Sequence, residues 1–261
     1  MRYIDIGVNL FDKQFKNREN KLVEEAYNEN IQMIITGSSI KSSILASNYT
    51  KNKKDIYCTV GVHPHSAKTC DEHTLNTLKE LAESNSNVVA IGECGLDYDR
   101  MFSPKNIQLE WFEKQIRLAE ELKLPLFLHE RAAADDFYTL MKKHKEICNH
   151  SVVHCFTGTK EMALQYLNLG CFIGITGWIC DDRRNKDLLE AIKIIPSERI
   201  MIETDAPYLT PKNIPELDRT NIPQNIKYVA ERIAKEKNMN LDVFINKVYE
   251  NTFKFFQLKS R

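Results

Sequence analysis

The chain alternates eight short apolar runs with longer amphipathic stretches, and that rhythm restricts its fold more than any other feature. The runs are Tyr3–Val8, Gln32–Thr36, Ile56–Val62, Val88–Glu93, Leu126–His129, Val152–Cys155, Phe172–Thr176 and Ile200–Asp205. Each is rich in β-branched or aromatic residues, as strands are. Helical spacing lies between them, for example over Gln108–Leu122 and Asp187–Ile195, and Gln224–Lys235 and Leu241–Phe255 close the chain as two more helices. Eight repeats with no long linker or low-complexity segment predict an α/β fold, a single (β/α)8 TIM barrel over residues 1–261. Such a barrel takes about 250 residues. A doubly wound open sheet is the alternative, but it usually has fewer strands and gathers its ligand groups at one switch point.

Four of these runs end in, or carry, a group able to bind metal. VVAIGE ends at Glu93, LPLFLH ends at His129, SVVHC carries His154 and RIMIETD ends at Asp205. A parallel barrel gathers the C-terminal ends of its strands on one rim. Two carboxylates and two imidazoles meeting there make a metal site. Taken singly, Glu93 also fits a salt-bridged structural glutamate, and a lone histidine fits a satisfied core residue. Equivalent positions on successive strands favour ligation. Glu203 shares a strand face with Asp205 and reads as an ion pair beneath the site. Asp205 is then the group that ligates metal and activates water, with Glu93 beside it in the chemistry. In GVHPH, Pro64 stiffens a turn; the H-x-H pair fits a metal site or a hydrogen-bonded turn pair, and the reading preferred is that one imidazole, His63 ahead of His65, hydrogen-bonds an anionic oxygen.

Lys+Arg and Asp+Glu number 36 each, so there is no net charge to drive sequence-blind coating of nucleic acid. Basic residues nevertheless recur in the loops after strands: Arg100, Arg131, Arg183, Arg184, Lys212 and Arg219. A guanidinium fork matches two phosphate oxygens. Tyr98, Phe102 and Trp178 share those loops, and aromatics beside arginine suit the stacking of single-stranded nucleic acid. Loop packing is the competing account of each, and Trp178 is balanced between the two. The seven cysteines include no C-x-x-C pair and read as reduced, buried thiols of a cytosolic protein. The first residues do not form a signal peptide, and no run is long enough to span a membrane.

The motifs GVHPH, IGECGLD followed by Tyr98, FLHER, VVHCFTG, ITGW and IETDAPYL together resemble the TatD family of metal-dependent deoxyribonucleases, within the amidohydrolase-like barrels. The resemblance covers nearly the whole chain. It implies a (β/α)8 barrel and a divalent-metal nuclease, commonly a 3′→5′ exonuclease on single strands. It also implies that Glu93, His129, His154 and Asp205 are metal ligands, that His63 and His65 face substrate, and that Asn221 and Pro223 belong to a late N-E-P element. Many members carry D-x-H-x-H-L on the first strand. Here Gly7 and Asn9 replace both imidazoles, as in the founding TatD branch, and Ile222 stands where the late element usually has Glu.

Together these readings predict a phosphodiesterase that trims single-stranded DNA ends, or RNA, in DNA repair or degradation. His63, His65, Arg131, Trp178 and Asn221 form its substrate side. With imidazoles absent at positions 7 and 9, Mg²⁺ or Mn²⁺ is favoured as cofactor, with Zn²⁺ the competing ion. The enzyme is expected in the cytoplasm, or in the nucleus of a eukaryote, without membrane or obligate protein partner. Three alternatives use the same scaffold: a D-aminoacyl-tRNA deacylase or other metal-dependent hydrolase, a non-catalytic nucleic-acid binder, and a purely structural barrel.

Overall fold

The computed structural model describes residues 2–214 and 219–259. Eight strands occur in the order β1 Tyr3–Val8, β2 Ile31–Ile35, β3 Ile56–Val60, β4 Val88–Asp97, β5 Leu126–Arg131, β6 Ser151–Val153, β7 Phe172–Ile175 and β8 Ile200–Ile202. Helices α1 Glu19–Asn28, α2 Ile40–Thr50, α3 Thr74–Ser84, α4 Lys105–Leu122, α5 Ala134–Lys143, α6 Lys160–Leu169 and α7 Lys186–Ile194 fall between them, and α8 Ile226–Glu236 and α9 Leu241–Phe255 follow. The strands hydrogen-bond in sequence order, and Val8 at the end of β1 makes an isolated parallel bridge to Ala206, four residues past β8. This is the (β/α)8 barrel order that the alternating runs predict.

Two compact units make up the chain. In one, β3 to β6 pack with α2 to α5. Their strands are apolar along their length because a parallel sheet is covered on both faces. Ile91, Phe127, Leu128 and Val152 are wholly buried. Helix α4 buries Trp111, Phe112, Gln115, Ile116 and Ala119, the stripe expected of an amphipathic helix. Phe112 stacks on Phe137 of α5 with ring centroids 5.5 Å apart. The other unit holds β1, most of β2, β7, β8, α1, α7, α8 and α9. Ile4, Ile6, Ile173, Ile175 and Ile200 fill its strands, and Val229, Ile233, Phe244 and Val248 bury the inner faces of α8 and α9. No helix among the described residues is long and apolar enough to cross a membrane. All seven cysteines are free thiols.

Strand ends depart from the sequence reading in two places that matter. Strand β8 stops at Ile202, so Glu203 and Asp205 lie past it and do not share a strand face. Strand β4 does not stop at Glu93 but runs on to Asp97. Gly92 and Gly95, which look like turn residues, lie inside the strand at φ +142° and +145°. Gly92 faces Phe127 and Cys94 faces Leu128, so Glu93 is an extra residue without a partner of its own on β5. Such a bulge re-aims a side chain. Glycine is required because a Cβ on Gly92 would lie 2.2 Å from the Phe127 carbonyl oxygen, and one on Gly95 would lie 1.9 Å from that of His129. Gly95→Ala must therefore strain its own backbone and push β5 away. We expect it to cost about 2–4 kcal/mol, read as a lower urea midpoint. Unchanged stability would mean that the two strands can separate without penalty.

Candidate metal centre

Beyond the bulge, Glu93, Gly95 and Asp97 alternate onto one face of β4. His129 is registered opposite Gly95. Its imidazole therefore lies between two carboxylates, with Nδ1 3.1 Å from Glu93 Oε1 and Nε2 3.2 Å from Asp97 Oδ2. A Cβ at Gly95 would meet the His129 backbone, so the glycine lets β5 come close enough to deliver the ring. His154, one residue past β6, reaches the same glutamate oxygen through Nε2 at 2.8 Å, and its ring rests on Phe127 at 4.5 Å. His63 Nε2 lies 3.3 Å from that oxygen. One nitrogen each from His63 and His129 and one oxygen of Glu93 all lie within 4.8 Å of one another.

Hydrogen bonds on the far sides of the rings assign different roles to these imidazoles. His63 Nδ1 accepts the backbone N–H of His65 at 3.0 Å, so the proton of the neutral ring sits on Nε2. Burial, reinforced by neighbouring imidazoles and opposed by Glu93, pushes His63 down to about 3 and keeps it neutral. In that tautomer His63 donates a hydrogen bond and has no Nε2 lone pair for a cation. His129 is arranged the other way. Asp97 accepts its Nε2–H and Glu93 accepts from Nδ1 at 3.1 Å, so Nδ1 is the nitrogen that would turn to a cation on losing its proton, in the carboxylate–histidine pairing that orients metal ligands. Glu93 is 7% exposed. Burial would raise its pKa, but His63, His154 and His129 together hold it well below the usual range. Burial also opposes ionisation of Asp97, and the hydrogen bonds from His129, the Arg100 backbone and His65 outweigh it. His129 itself is raised: burial is overridden by its bonds to Asp97 and Glu93. A buried anion facing two imidazole nitrogens fits a divalent cation.

Asp205 lies three residues past β8 at φ +55°, and its Oδ1 accepts the side-chain N–H of Asn9 at 2.9 Å. Two buried groups grip its loop. Asp5 accepts from the Thr204 hydroxyl at 2.5 Å, from the Thr204 backbone at 2.9 Å and from the Gly7 backbone at 3.3 Å. Asn221 donates to the carbonyls of Thr204 and Tyr208 at 2.9 and 2.8 Å. It is fully buried, so it clamps this loop from inside and presents no amide to solvent. Glu203 accepts the Cys155 backbone N–H at 2.6 Å.

The remaining candidates divide. His65 donates from Nε2 to Asp97 at 2.8 Å. Arg131 pairs with Asp99 at 3.1 Å. Arg183 and Arg184 both hold Asp181, at 2.7 and 3.0 Å, so neither presents an unpaired guanidinium. Trp178 donates from Nε1 to the Arg184 carbonyl at 3.3 Å, and the Arg184 guanidinium lies 3.9 Å from its ring centroid. Asp97 and Asp5 are not among the residues that the sequence pattern singles out. The period-two spacing of Glu93 and Asp97 was the available signal for the first. An acidic residue inside YIDIGV was the signal for the second.

The family model for TatD related DNase matches residues 4–257. A 3′-5′ ssDNA/RNA exonuclease TatD from a Rahnella species is 40% identical over 98% of this chain and 99% of its own. The Escherichia coli protein of that name is 39% identical over 88% of this chain and 89% of its own. Among solved structures, a TatD family hydrolase from Entamoeba histolytica superposes with TM-score 0.86 at 34% identity, covering 98% of both chains. A TatD homologue from Escherichia coli superposes at 0.89, but its 24% identity speaks to the fold alone. Eight parallel strands in sequence order, with a buried imidazole–carboxylate cluster at their C-terminal ends, define the class: a (β/α)8 barrel with a candidate metal centre. Within that class, this chain belongs to the TatD related DNase family.

Asp5 gives a pH prediction. Burial, with the Glu203 charge adding and the Thr204 and Gly7 hydrogen bonds opposing, pushes its carboxyl from 3.8 up to about 8. Between those values the folded protein keeps a proton that the unfolded chain has released. The contribution of this group to stability is therefore whole at low pH and declines as pH rises through that window. Asp5→Asn removes the titration. The stability of wild type minus that of the variant should fall from pH 5 to pH 8, by at most about 1.4 kcal/mol per pH unit. Denaturant titrations at both pH values measure this, and a constant difference would count against the assignment.

Proposed function

We propose that this protein is a divalent-metal-dependent phosphodiester hydrolase that removes nucleotides from the 3′ end of single-stranded DNA or RNA. The observation that carries this reading is the placing of His129 and His154 on one oxygen of Glu93, with Asp97 behind His129. Family membership and the names of its relatives supply the reaction class. Glu93, His129 through Nδ1, His154 through Nε2 and Asp205 hold the ion, Asp205 entering on its match to the family motif. Two imidazoles and two carboxylates suit Mg²⁺ or Mn²⁺, with Zn²⁺ as the competitor. When bound, the ion polarises a phosphoryl oxygen and lowers the pKa of the attacking water.

The protein groups then divide the work. The Asn9 amide fixes the rotation of the Asp205 carboxylate, which takes the proton of the attacking water. The water oxygen bonds to phosphorus, the P–O3′ bond breaks, and the departing 3′ oxygen is protonated from solvent. His63 donates from Nε2 to a non-bridging oxygen as charge grows there, and its depressed pKa keeps it neutral throughout. His65 and Arg131 support the strand beside it, and Trp178 lies with Arg184 on a loop of the same reading. Asn221 acts from behind, on the loop that carries Asp205. We place the enzyme in the cytoplasm as one barrel domain over residues 1–261, without an obligate protein partner.

The test is end-labelled single-stranded DNA incubated with Mg²⁺, Mn²⁺, Zn²⁺ or EDTA, with products resolved by length. Stepwise shortening from the 3′ end is expected with Mg²⁺ or Mn²⁺ and none with EDTA. Glu93→Gln and Asp205→Asn should each lower turnover by about a hundred-fold or more while the melting temperature holds. Hydrolysis of aminoacyl esters with no attack on DNA would replace the nuclease reading with that of a deacylase.

A further inference from the structure

We propose that Phe102, with Met101 beside it, is a stacking platform for an unstacked nucleobase near the end of the bound strand. This rests on the nuclease reading above and names how that substrate is held. Three aromatics in loops after strands were candidates for such a role. Tyr98 is engaged, its hydroxyl donating to Asp136 at 2.9 Å and the Lys105 ammonium 4.6 Å from its ring centroid. Trp178 is engaged at its indole N–H and its ring by Arg184. Phe102 is 53% exposed, and Met101 is 45% exposed. Among the described residues the ring partner of Phe102 is His65, perpendicular to it at 4.8 Å.

That exposure does not come from a loose loop. The Asp97 carboxylate accepts the backbone N–H groups of Asp99 and Arg100, each at 3.0 Å. The buried Gln108 side chain bonds the Asp97 N–H at 2.8 Å and the carbonyls of Asp97 and Ser103 at 3.0 and 2.8 Å. The Ser103 hydroxyl donates to the His65 carbonyl at 3.0 Å and accepts from the Lys68 N–H at 3.0 Å. A pinned loop therefore holds two large apolar side chains in water. Two side chains are too little surface for a stable protein partner, which needs about 800 Å² a side. They are enough for one or two bases, which gain from any aromatic face.

Contacts continue from the platform to the centre. Phe102 meets His65, His65 and His129 share Asp97 Oδ2, and His129 reaches Glu93. A base on Phe102 thus belongs to a nucleotide whose phosphate lies toward that cluster. The exposed Arg100 is next in sequence to Met101 and sets a positive charge beside the apolar pair, whereas Arg131 is paired with Asp99 at 3.1 Å. Preorganisation of this kind spares the cost of ordering a loop when the strand arrives.

The test is a binding measurement on the full-length protein with two fluorescent single strands. Both carry a non-hydrolysable methylene phosphonate at the last linkage, and in one of them the last two nucleotides are abasic. Phe102→Ala should weaken binding of the base-bearing strand by about ten-fold or more and of the abasic strand by less than about two-fold. Phe102→Trp should restore the preference for bases. An equal loss on both strands, or no loss on either, overturns the platform. Cleavage of an ordinary strand is scored separately. Turnover without this coupling removes the platform and leaves the nuclease. Coupling without turnover under any metal keeps the platform as a nucleic-acid contact and removes the nuclease.

Discussion

A buried carboxylate must find positive charge or donors, and the arrangement around Glu93 answers that demand. One of its oxygens lies within 3.3 Å of nitrogens from three imidazoles carried on three separate segments of chain. An ionised group in so little water is costly when alone and stable when surrounded in this way. Placing it there requires a bulge in β4, and the bulge requires glycines on either side. The backbone of β4 is thus shaped around one anionic oxygen, and the neighbouring strands deliver what that anion needs.

Similar residues at this centre are separated by what lies behind them. A backbone N–H behind His63 keeps its proton on Nε2, whereas a carboxylate behind His129 takes the Nε2–H and leaves Nδ1 facing Glu93. The distinction lies in the tautomer and not in the residue type. In the proposed reaction it would let one cluster face a cation and present a neutral hydrogen-bond donor at once. The Asp205 loop is treated alike, with Asn9 fixing the carboxylate and the buried Asp5 and Asn221 fixing the backbone that carries it.

Much of this fold is legible in the residues because hydrophobic period and turn chemistry point the same way. The run Tyr3–Val8 and the helix Leu241–Phe255 have the bounds that their patterns indicate. Strand β4 is misread at its end because glycine usually marks a turn, and only the closeness of β5 explains two of them inside a strand. The same misreading conceals Asp97, which falls beyond the apparent end. The meeting of Glu93, His129 and His154 can be read from the sequence, since strand ends of a parallel barrel converge on one rim. Tautomers cannot, because they depend on a backbone N–H and a carboxylate that only the folded chain brings near. The pairing of Arg183 and Arg184 with Asp181 is a similar case: loop arginines look available until their neighbour is seen.

Asp97 holds the loop after β4 by main-chain N–H groups of Asp99 and Arg100 and not by their side chains. Every residue except proline has that N–H to give. Side chains along this stretch can consequently be exchanged over generations while the acceptor keeps its partners and the rings behind it keep their orientation. Such a frame lets descendants of one ancestor diverge in what they recognise without rebuilding the chemistry. Innovation would then concentrate in the exposed positions from Asp99 to Phe102, and Asp97 itself would remain the residue that cannot drift.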